Sequence, residues 1–300
     1  MNTLAELAAG GHDFAPPGSG LTADRLLFLA DLACSGDVST ARLAEAHLDA
    51  LAIVRESGHQ PRPGRLYAVW ASESGNEPRI DDGKLVGVKR FCSGLGIVDR
   101  ALVTVHSADG EQLVDVNVSS LVAPTTPWTS PALRDTATGD ANLDGITDFE
   151  VIATADWYLD RPGFWHGACG PAACWAGAAW GLIDAAVALC DDDPHRRAQT
   201  GALVSTRWAL AALLRQAGDE IDADPADRNT AELRARALRH TVERVCSDVA
   251  DRFSRTFGPR PFVADEAIAQ RFADLHLYLR QHHGERELAA IAALAIRSVA

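Results

Sequence analysis

The spacing of apolar residues in this chain changes twice, and that order restricts the folds it can adopt. In residues 21–55 the apolar positions follow the three- and four-residue spacing of helices, with a break at Ser35-Gly36-Asp37. In residues 66–154 they form short runs rich in β-branched side chains, which is typical of strands. From Pro171 onward the helical spacing returns. The sequence therefore predicts two helices, then a β region, then a bundle of four helices.

The β region is divided into short strands. Asp82-Gly83 and Asp144-Gly145 are turn signals, and strands are predicted at residues 66–70, 84–91, 101–106 and 112–118. Such spacing favours hairpins and an antiparallel sheet or barrel over a parallel sheet with crossover helices. Gly94-Leu95-Gly96 lacks the next glycine of a dinucleotide-binding fingerprint. We therefore predict an α+β fold with short N-terminal helices (residues 1–60), a central antiparallel β domain (61–160) and a C-terminal four-helix bundle (161–300).

Charge and cysteine content argue against several classes of partner. The 300 residues carry a formal net charge of −13, and the lysines are Lys84 and Lys89 alone, which argues against a nucleic-acid partner. The six cysteines form no Cys-x-x-Cys pair, so we expect reduced thiols and no metal site. No apolar run approaches the roughly 20 residues of a membrane span, and the first residues lack the pattern of a secretory signal. These features predict a cytoplasmic protein without a membrane partner.

Several short motifs, in the same order as these elements, resemble the acyl-CoA dehydrogenase family. Residues 85–94, Leu-Val-Gly-Val-Lys-Arg-Phe-Cys-Ser-Gly, are similar to the family's strand pattern of Gly-x-Lys, an aromatic or apolar pair and a Ser or Thr. Ala71-Ser72-Glu73 resembles its Thr-Glu flavin loop. Residues 133–138 and 142–146 resemble the stretch where its last strands cross back, and residues 255–258 and 271–274 resemble the helices before its active-site segment. The resemblance covers roughly residues 25–295 and implies that family's fold.

The resemblance implies an FAD cofactor held between the β domain and the bundle, with the flavin ring against the strand of Phe91, Cys92 and Ser93. A flavin ring needs an apolar or aromatic wall and tethering polar groups. Candidates for these roles are Ser72, Glu73 and Ser93 as polar contacts and Phe91 or Trp70 as the wall. The alternative is that these residues are ordinary strand and turn positions.

The chain departs from the family pattern in two places. Fewer helices precede the β domain than in the family. Where the family has an Arg, a Phe-Gly pair and a Gln that reach the FAD diphosphate across a subunit interface, this chain reads Asp191-Asp192-Asp193 followed by Arg196, Arg197 and Gln199. These three later residues are partial substitutes, whereas aspartates facing a diphosphate would repel it. We expect the acidic run to be a solvated helix end.

A second candidate segment joins the β region to the bundle, where the family contacts its acyl-thioester substrate. It contains Arg161, Phe164, Trp165 and His166. An aromatic pair beside a histidine can form the wall of a ligand pocket, and Arg161 can bind a carboxylate or phosphate. The alternative is a domain linker packed by its own aromatic side chains.

The family's catalytic base is a Glu that precedes a Gly-Thr pair near the C-terminal end. Counting along the matched helix places His282 at that position, or His283 in a register shifted by one, and neither register gives Glu. Glu285 follows, but Gly284 is expected to break the helix before it. Glu243 is a further candidate, although its basic neighbours resemble an exposed helix face. The histidines are acid–base candidates, and the alternative is a helix end where they face the C-terminal dipole.

Three functions are compatible with these residues. The resemblance implies an FAD-dependent oxidoreductase acting on an acyl-type small molecule, with His282, His283 and Glu285 as catalytic candidates. A flavin-dependent monooxygenase of the same fold needs no carboxylate base. A binding or structural member that has lost flavin is the third. The Ala- and Gly-rich residues 172–188 and the family's habit of assembly predict a homodimer or a dimer of dimers.

Overall fold

A computed structural model describes residues 2–10, 14–73, 75, 77–108, 110–121, 128–154 and 157–299. The helices are α1 (Asn2–Ala8), α2 (Thr22–Ser35), α3 (Val38–Glu56), α4 (Trp157–Asp160), α5 (Pro162–Gly167), α6 (Gly170–Leu189), α7 (Pro194–Ala223), α8 (Arg228–Phe257), α9 (Arg260–Ala264), α10 (Glu266–Tyr278) and α11 (Glu285–Val299). The strands are β1 (Tyr67–Trp70), β2 (Arg79–Asp81), β3 (Lys84–Val86), β4 (Val88–Cys92), β5 (Arg100–Ser107), β6 (Gly110–Asn117), β7 (Gly139–Asn142) and β8 (Phe149–Ala153). The protein is therefore α+β, as predicted.

The chain divides into two compact units, which we describe separately. Unit 1 consists of Met1–Pro16, Leu43–Ser130 and Arg134–Phe164, and it contains every strand of the described residues. Unit 2 consists of Pro17–Arg42, Pro131–Leu133 and Trp165–Ala300. The two predicted N-terminal helices contribute to both units, because α2 belongs to unit 2 and α3 from Leu43 onward belongs to unit 1.

The sheet of unit 1 is mixed. Its strand order is β3-β2-β5-β6-β8, and β1 pairs with β5 beside β2. The hairpins β2–β3 and β5–β6 are antiparallel, whereas β1 and β2 run parallel to β5. The prediction of a wholly antiparallel β domain is therefore wrong. Turn signals fix the direction of adjacent strands only, and the residues between β1 and β5 are numerous enough to bring the chain back in the same direction.

A two-stranded sheet of β4 and β7 completes unit 1, and β4 carries most of the Gly-x-Lys motif. The predicted strand 84–91 is split into β3 and β4 at Gly87, whose φ is +117°. A Cβ at Gly87 would lie 3.1 Å from Cα of Pro78, so this position needs glycine for space as well as for conformation. The core of unit 1 lies between α3 and the six-stranded sheet, and its buried side chains are Ala50, Ile53, Val54, Tyr67, Leu102, Leu113 and Ile152.

Unit 2 is a helical bundle in which α6 packs against α2, α7, α8 and α10. The contact between α6 and α2 is close, because a Cβ at Gly177 would lie 2.0 Å from the carbonyl oxygen of Ala30. A Cβ at Gly218 of α7 would likewise lie 2.4 Å from Cα of Ala23. The small residues of α6 therefore pack inside the unit, and the bundle includes one helix from the N-terminal region.

One helical stretch, Pro162–Leu189, is long and apolar enough to cross a membrane by length and composition. The expectation that no apolar stretch approaches this length is therefore wrong. Sixty-seven per cent of its most apolar window is buried inside the protein, as in the core helix of a soluble bundle. Its apolar character is thus explained by packing.

Candidate functional site

A distorted strand in unit 1 exposes the aromatic side chain that was predicted from sequence to form a flavin wall. The pairing of β4 with β7 shifts register between Lys89 and Cys92, which leaves Phe91 in a β-bulge. Phe91 has φ +58° and is 65% exposed. A non-glycine residue in this conformation is strained, and such strain is concentrated at functional sites. The bulge therefore presents an aromatic ring at the surface of unit 1.

Ser93, two residues after Phe91, belongs to a row of hydroxyl groups. Ser93 Oγ is 2.8 Å from Thr138 Oγ1, which is in turn 2.8 Å from Thr136 Oγ1. The backbone N–H of Gly94 donates to the carbonyl of Thr136 at 2.7 Å, which ties the end of β4 to the segment before β7. Each hydroxyl can donate only one hydrogen, so this row can offer a donor or an acceptor to a ligand beside Phe91. Thr136 and Thr138 were not among the predicted site residues, although their segment had been matched to the family.

The side chains of Trp70 and Ser72 hold this region in place through hydrogen bonds to backbone carbonyls. Trp70 is 2% exposed, and its Nε1 donates to the carbonyl of Ser93 at 2.9 Å. Ser72 Oγ donates to the carbonyl of Arg90 at 2.6 Å. Trp70 is therefore buried beneath the candidate surface, and the expectation that it could serve as an exposed flavin wall is not supported. Glu73 is exposed on the loop that follows β1.

Cys92 does not offer its thiol to a ligand. Its side chain is fully buried, its Sγ lies 3.2 Å from the carbonyl of Lys89, and burial raises its pKa to about 12. Only its backbone remains for a cofactor contact. These three consecutive residues, two at the end of β4 and one just after it, therefore have different surroundings: Phe91 is exposed, Cys92 is buried and Ser93 is half-buried.

The side chain of Arg161 forms an ion pair and aromatic contacts within unit 1. Its Nη1 is 2.5 Å from Oε2 of Glu56, its side chain is 2% exposed, and its guanidinium lies over the rings of Trp157 and Tyr158 at 5.7 and 5.4 Å. Phe164 makes an edge contact with Tyr158 at 5.5 Å. The expectation that Arg161 is available for a substrate anion is therefore not supported, because its buried guanidinium would have to give up the carboxylate partner that it already has.

The rest of the segment that joins the β region to the bundle lies in unit 2. There, side chains of α8 contact both this part of the segment and the C-terminal motif that contains His282 and His283. Arg236 lies over the ring of Trp165 at 4.5 Å and pairs with Glu287 of α11 at 2.5 Å. Arg239 donates to the carbonyls of Ala168 and Gln281, which lie in these two segments. Two motifs that are far apart in the sequence are therefore adjacent in unit 2. His166 is 5% exposed and lies at the end of α5.

A histidine pair lies at this junction. Nδ1 of His240 is 3.2 Å from Nε2 of His282, and the two ring centroids are 5.3 Å apart. His282 is 8% exposed, and its Nδ1 is buried without a hydrogen-bond partner among the described residues. Burial, together with Arg239 and His240, lowers the pKa of His282. The imidazole is therefore neutral near pH 7, with one ring nitrogen that none of the described protein groups uses.

The other predicted acid–base residues have different surroundings. His283 is 63% exposed and lies 3.7 Å from Glu287. Gly284 has φ +52°, and Glu285 begins α11 as an exposed residue, which agrees with the expected helix break. Glu243 pairs with Arg280 at 2.9 Å. The description of its helix neighbours as exposed is wrong for Arg239 and His240, which are half-buried.

The acidic run before α7 is a helix start. Asp193 caps α7 by accepting hydrogen bonds from the backbone N–H groups of His195 and Arg196, and Asp191 pairs with the Arg196 side chain. Asp192 pairs with Arg197. Next to this start is a cavity of about 280 Å³ lined by His195, Arg196, Gln199, Arg252, Arg255 and Thr256. The lining carries three arginines and no carboxylate, and each arginine already pairs with an aspartate outside the lining: Arg196 with Asp191, Arg252 with Asp248 and Arg255 with Asp251.

No family model and no curated protein matches this sequence. Solved structures do match it. Dibenzothiophene monooxygenase TdsC from a Paenibacillus species is 17% identical, with a TM-score of 0.76 over 90% of this chain and 82% of its own. FkbI, for biosynthesis of the methoxymalonyl extender unit of FK520, is 16% identical, with a TM-score of 0.79 over 99% and 92%. Methanesulfinate monooxygenase MsuC from Pseudomonas fluorescens is 16% identical, with a TM-score of 0.72 over 92% and 83%.

This chain has the acyl-CoA dehydrogenase fold. The predicted fold is thereby confirmed at the level of architecture. FMN is bound in solved structures of TdsC and KijD3. The residues of unit 1 fit a flavin ring, because Phe91 offers an exposed aromatic side chain and Ser93, two residues later, carries a half-buried hydroxyl that bonds to Thr138. Among the described residues, no group of three His, Cys, Asp or Glu could hold a metal ion.

Proposed function

We propose that this protein is a flavin-dependent monooxygenase of the acyl-CoA dehydrogenase fold. The observation that carries the proposal is the buried His240–His282 pair, in which Nδ1 of His282 has no partner among the described residues. The resemblance places a carboxylate base at the position of His282, and dehydrogenation of an acyl thioester requires such a base. Insertion of an oxygen atom into a substrate does not. Neutral histidine in place of a carboxylate therefore favours the oxygenase.

The pair gives His282 two ways to handle a proton. If Nδ1 of His240 donates to Nε2 of His282, then Nδ1 of His282 carries a hydrogen that it can give to a ligand. If Nε2 of His282 donates instead, then Nδ1 has a lone pair that can take a proton. The first arrangement becomes the second when His282 Nδ1 gives its proton to the ligand, His240 Nδ1 passes its own to His282 Nε2, and His240 Nε2 takes one up from outside the pair, so His282 Nδ1 is suitable for general acid–base catalysis.

The bound flavin would supply two electrons for the reduction of O2. In the reaction, one oxygen atom enters the substrate and the other leaves as water, with two protons taken up. We assign Phe91 to the wall of the flavin ring and Ser93 and Thr138 to its polar edge. We assign the proton at the substrate to Nδ1 of His282.

Whether the flavin is FAD or FMN depends on the anionic half of the cofactor. The resemblance places the family's diphosphate contacts at residues 190–206, where this chain has the cavity formed by Arg196, Gln199, Arg252 and Arg255. A lining that consists of cationic and neutral side chains supports FAD, the cofactor we propose. FMN, which is bound in TdsC and KijD3, is the alternative.

Oxidation of an acyl-type substrate is the second candidate. It is favoured by the motifs around Lys89 and Arg271 that resemble the dehydrogenases, and His282 would then act as the base. The two functions differ in what reduces the flavin. An acyl substrate reduces the oxidised flavin directly, whereas a monooxygenase needs a separate supply of reduced flavin.

The test combines two measurements on the purified protein loaded with FAD or FMN. Under anaerobic conditions, straight-chain acyl-CoA thioesters are added and the flavin absorbance is followed. With reduced flavin and labelled O2, dibenzothiophene and indole are used as probes and the products are examined by mass spectrometry. We expect no bleaching by acyl-CoA and a labelled oxygen atom in a product.

Bleaching of the flavin by acyl-CoA, without incorporation of oxygen into a product, would indicate that the protein is a dehydrogenase and not a monooxygenase. No flavin absorbance after isolation and no spectral change on titration with FAD or FMN would overturn both. The protein would then be a binding or structural member of the fold.

A further inference from the structure

A buried ion pair in unit 1 lies beside the candidate flavin residues. Lys89 of β4 is fully buried, and its Nζ pairs with the carboxylate of Glu77, whose side chain is 6% exposed. The same Nζ donates to the hydroxyl of Thr104 at 2.9 Å and to its carbonyl at 3.3 Å. Desolvating a lysine and a glutamate costs free energy that their mutual attraction often fails to recover. Stability alone is therefore a weak reason for this pair.

The pair and a neighbouring hydrogen bond attach one loop to β4 at two points. The loop leaves β1 after Trp70 and reaches Glu77 just before β2. Ser72, near its start, donates to the carbonyl of Arg90, and Glu77, at its end, pairs with Lys89. Its described residues belong to no helix or strand. Lys89 and Arg90, which are adjacent in β4, thus hold the two ends of the loop after β1. The resemblance predicts that this loop faces the flavin.

The same contacts hold one side of the bulge at Phe91. Lys89 is fixed two residues before Phe91, and the fully buried Cys92 is fixed one residue after it. A left-handed phenylalanine persists only where the surrounding structure leaves it no alternative. Lys89 and Cys92 provide that constraint, because their side chains are buried on the same strand while Phe91 is exposed between them.

Lys89 cannot itself bind the cofactor. An ammonium group has three hydrogens, and the Glu77 carboxylate, the Thr104 hydroxyl and the Thr104 carbonyl accept all three. We propose that Lys89 is a positioning residue: its ion pair with Glu77 holds the loop after β1 and the Phe91 bulge in the arrangement that receives the flavin ring. This inference rests on the proposed binding of flavin.

The test removes both charges at once. Either single variant leaves one buried charge unpaired and can prevent folding, whereas Lys89→Met/Glu77→Gln replaces the pair by uncharged side chains of similar volume, which proteins often tolerate. We expect this double variant to unfold at a temperature close to that of the wild type. We expect its Kd for FAD or FMN to rise at least tenfold, with a shift in the visible absorption bands of the bound flavin.

The matched control is another ion pair of unit 1 whose two side chains are buried, Arg100 with Asp115. Nε of Arg100 donates to Asp115 at 2.7 Å, and Arg100 pairs with Tyr67 across the sheet, three positions before Trp70. Arg100→Met/Asp115→Asn removes that pair without changing the loop, so the Kd for flavin should stay at the wild-type value. Thr104→Val keeps the Lys89–Glu77 pair but removes one of its supports, and we expect an intermediate rise in Kd.

The outcomes separate this inference from the proposed function. If the wild type binds flavin and the Lys89→Met/Glu77→Gln variant binds it equally well, Lys89 has no positioning role. If the double variant does not fold, an unchanged Kd in Thr104→Val overturns the inference by itself. If the wild type binds neither FAD nor FMN, the proposed function and this inference both fail.

Discussion

Nδ1 of His240 lies 3.2 Å from Nε2 of His282, and the second ring nitrogen of His282 is buried with none of the described protein groups to bind. A histidine pair uses two of its four ring nitrogens on itself. The pair therefore holds the His282 ring in one orientation and leaves Nδ1 for a ligand. Arg239 supports this arrangement from the same helix as His240, because it donates to the carbonyl of Gln281.

Replacing His282 by glutamine should abolish most of the activity. The glutamine amide can still reach His240 in place of Nε2, but nothing replaces Nδ1. Loss of a general acid or base lowers kcat by about 100-fold or more. Turnover of whichever probe the wild type oxidises is the measurement. His283→Gln is the control, because His283 is exposed, and it should keep near wild-type turnover. Equal losses in the two variants would contradict the role of His282.

The stability of the protein should decrease in mild acid, and part of this decrease should come from His282. Its folded pKa is lowered by burial first and by Arg239 and His240 in addition, whereas Glu243 and Glu287 oppose the shift. In the unfolded chain a histidine titrates near 6.5, so between about pH 6.5 and the lower folded pKa the unfolded state binds more protons. The free energy of unfolding therefore falls as the pH decreases through this window and is independent of His282 above it.

Urea unfolding at pH 7.5 and pH 5.5 measures this effect. His276 also has a lowered pKa and contributes in the same direction, so the wild type must be compared with His282→Gln. We expect the variant to lose less stability between the two pH values than the wild type. An identical pH dependence in both proteins would mean that His282 titrates normally in the folded state.

Phe91→Gly should change stability and flavin binding in opposite directions. Glycine adopts a φ of +58° without strain, so we expect the free energy of unfolding to be unchanged or to rise by about 1 kcal/mol. The same substitution removes the proposed flavin wall, so the Kd for flavin should rise at least tenfold. Thermal unfolding and flavin titration are the measurements.

Val88→Ala is the control for this substitution. Val88 is an exposed apolar residue of the same strand, outside the bulge. It should leave the Kd for flavin unchanged. A parallel loss of stability and binding in Phe91→Gly would indicate that Phe91 is a structural residue.

Arg252→Ala/Arg255→Ala should weaken FAD binding more than FMN binding. These arginines line the cavity next to the start of α7, and FMN has no adenosine diphosphate half that could reach it. We expect the Kd for FAD to rise about tenfold, as for the loss of charge-assisted hydrogen bonds. Arg215→Ala, on an exposed part of α7, is the control. An equal rise in the Kd for FAD and for FMN would show that the cavity is not part of the cofactor site.

The predicted homodimer should use a different surface from the one that the sequence suggested. The small residues of α6 pack inside unit 2, whereas Trp208 and Val204 of α7 are 76% and 47% exposed. We propose that these two side chains are covered by a second copy of the chain. Sedimentation should give a species larger than 32.0 kDa, and Trp208→Asp should shift it toward the monomer. A wild type that sediments only as a monomer at micromolar concentrations would contradict this.

Local patterns predicted the elements whose signal lies within a few residues. The break between α2 and α3 follows from Ser35-Gly36-Asp37, and the left-handed Gly284 ends the helical stretch before α11, as expected. Three of the four predicted strands, at residues 66–70, 101–106 and 112–118, match β1, β5 and β6 within one or two residues. No separate bounds were predicted for the long helix α7, although it lies in the region from Pro171 onward that was expected to be helical.

Contacts between distant residues were not predictable in this way. The parallel direction of β1 and β5 depends on how the intervening chain returns, and no turn signal encodes that. Burial of Trp70 and Cys92 and the ion pair that engages Arg161 likewise depend on partners elsewhere in the chain. The burial and the pairing of these side chains were therefore not predictable from the motifs.

By itself the sequence determined the order of helices and strands, the resemblance of the β4 motif and the missing carboxylate at position 282, since each of these is a property of neighbouring residues. The tertiary structure alone decided that His282 meets a histidine 42 residues earlier in the chain and that Lys89 meets Glu77 in the interior. Both pairs exist because packing brings separate segments together and removes water from between them. Spacing along a sequence records neither the distance between segments nor the loss of water.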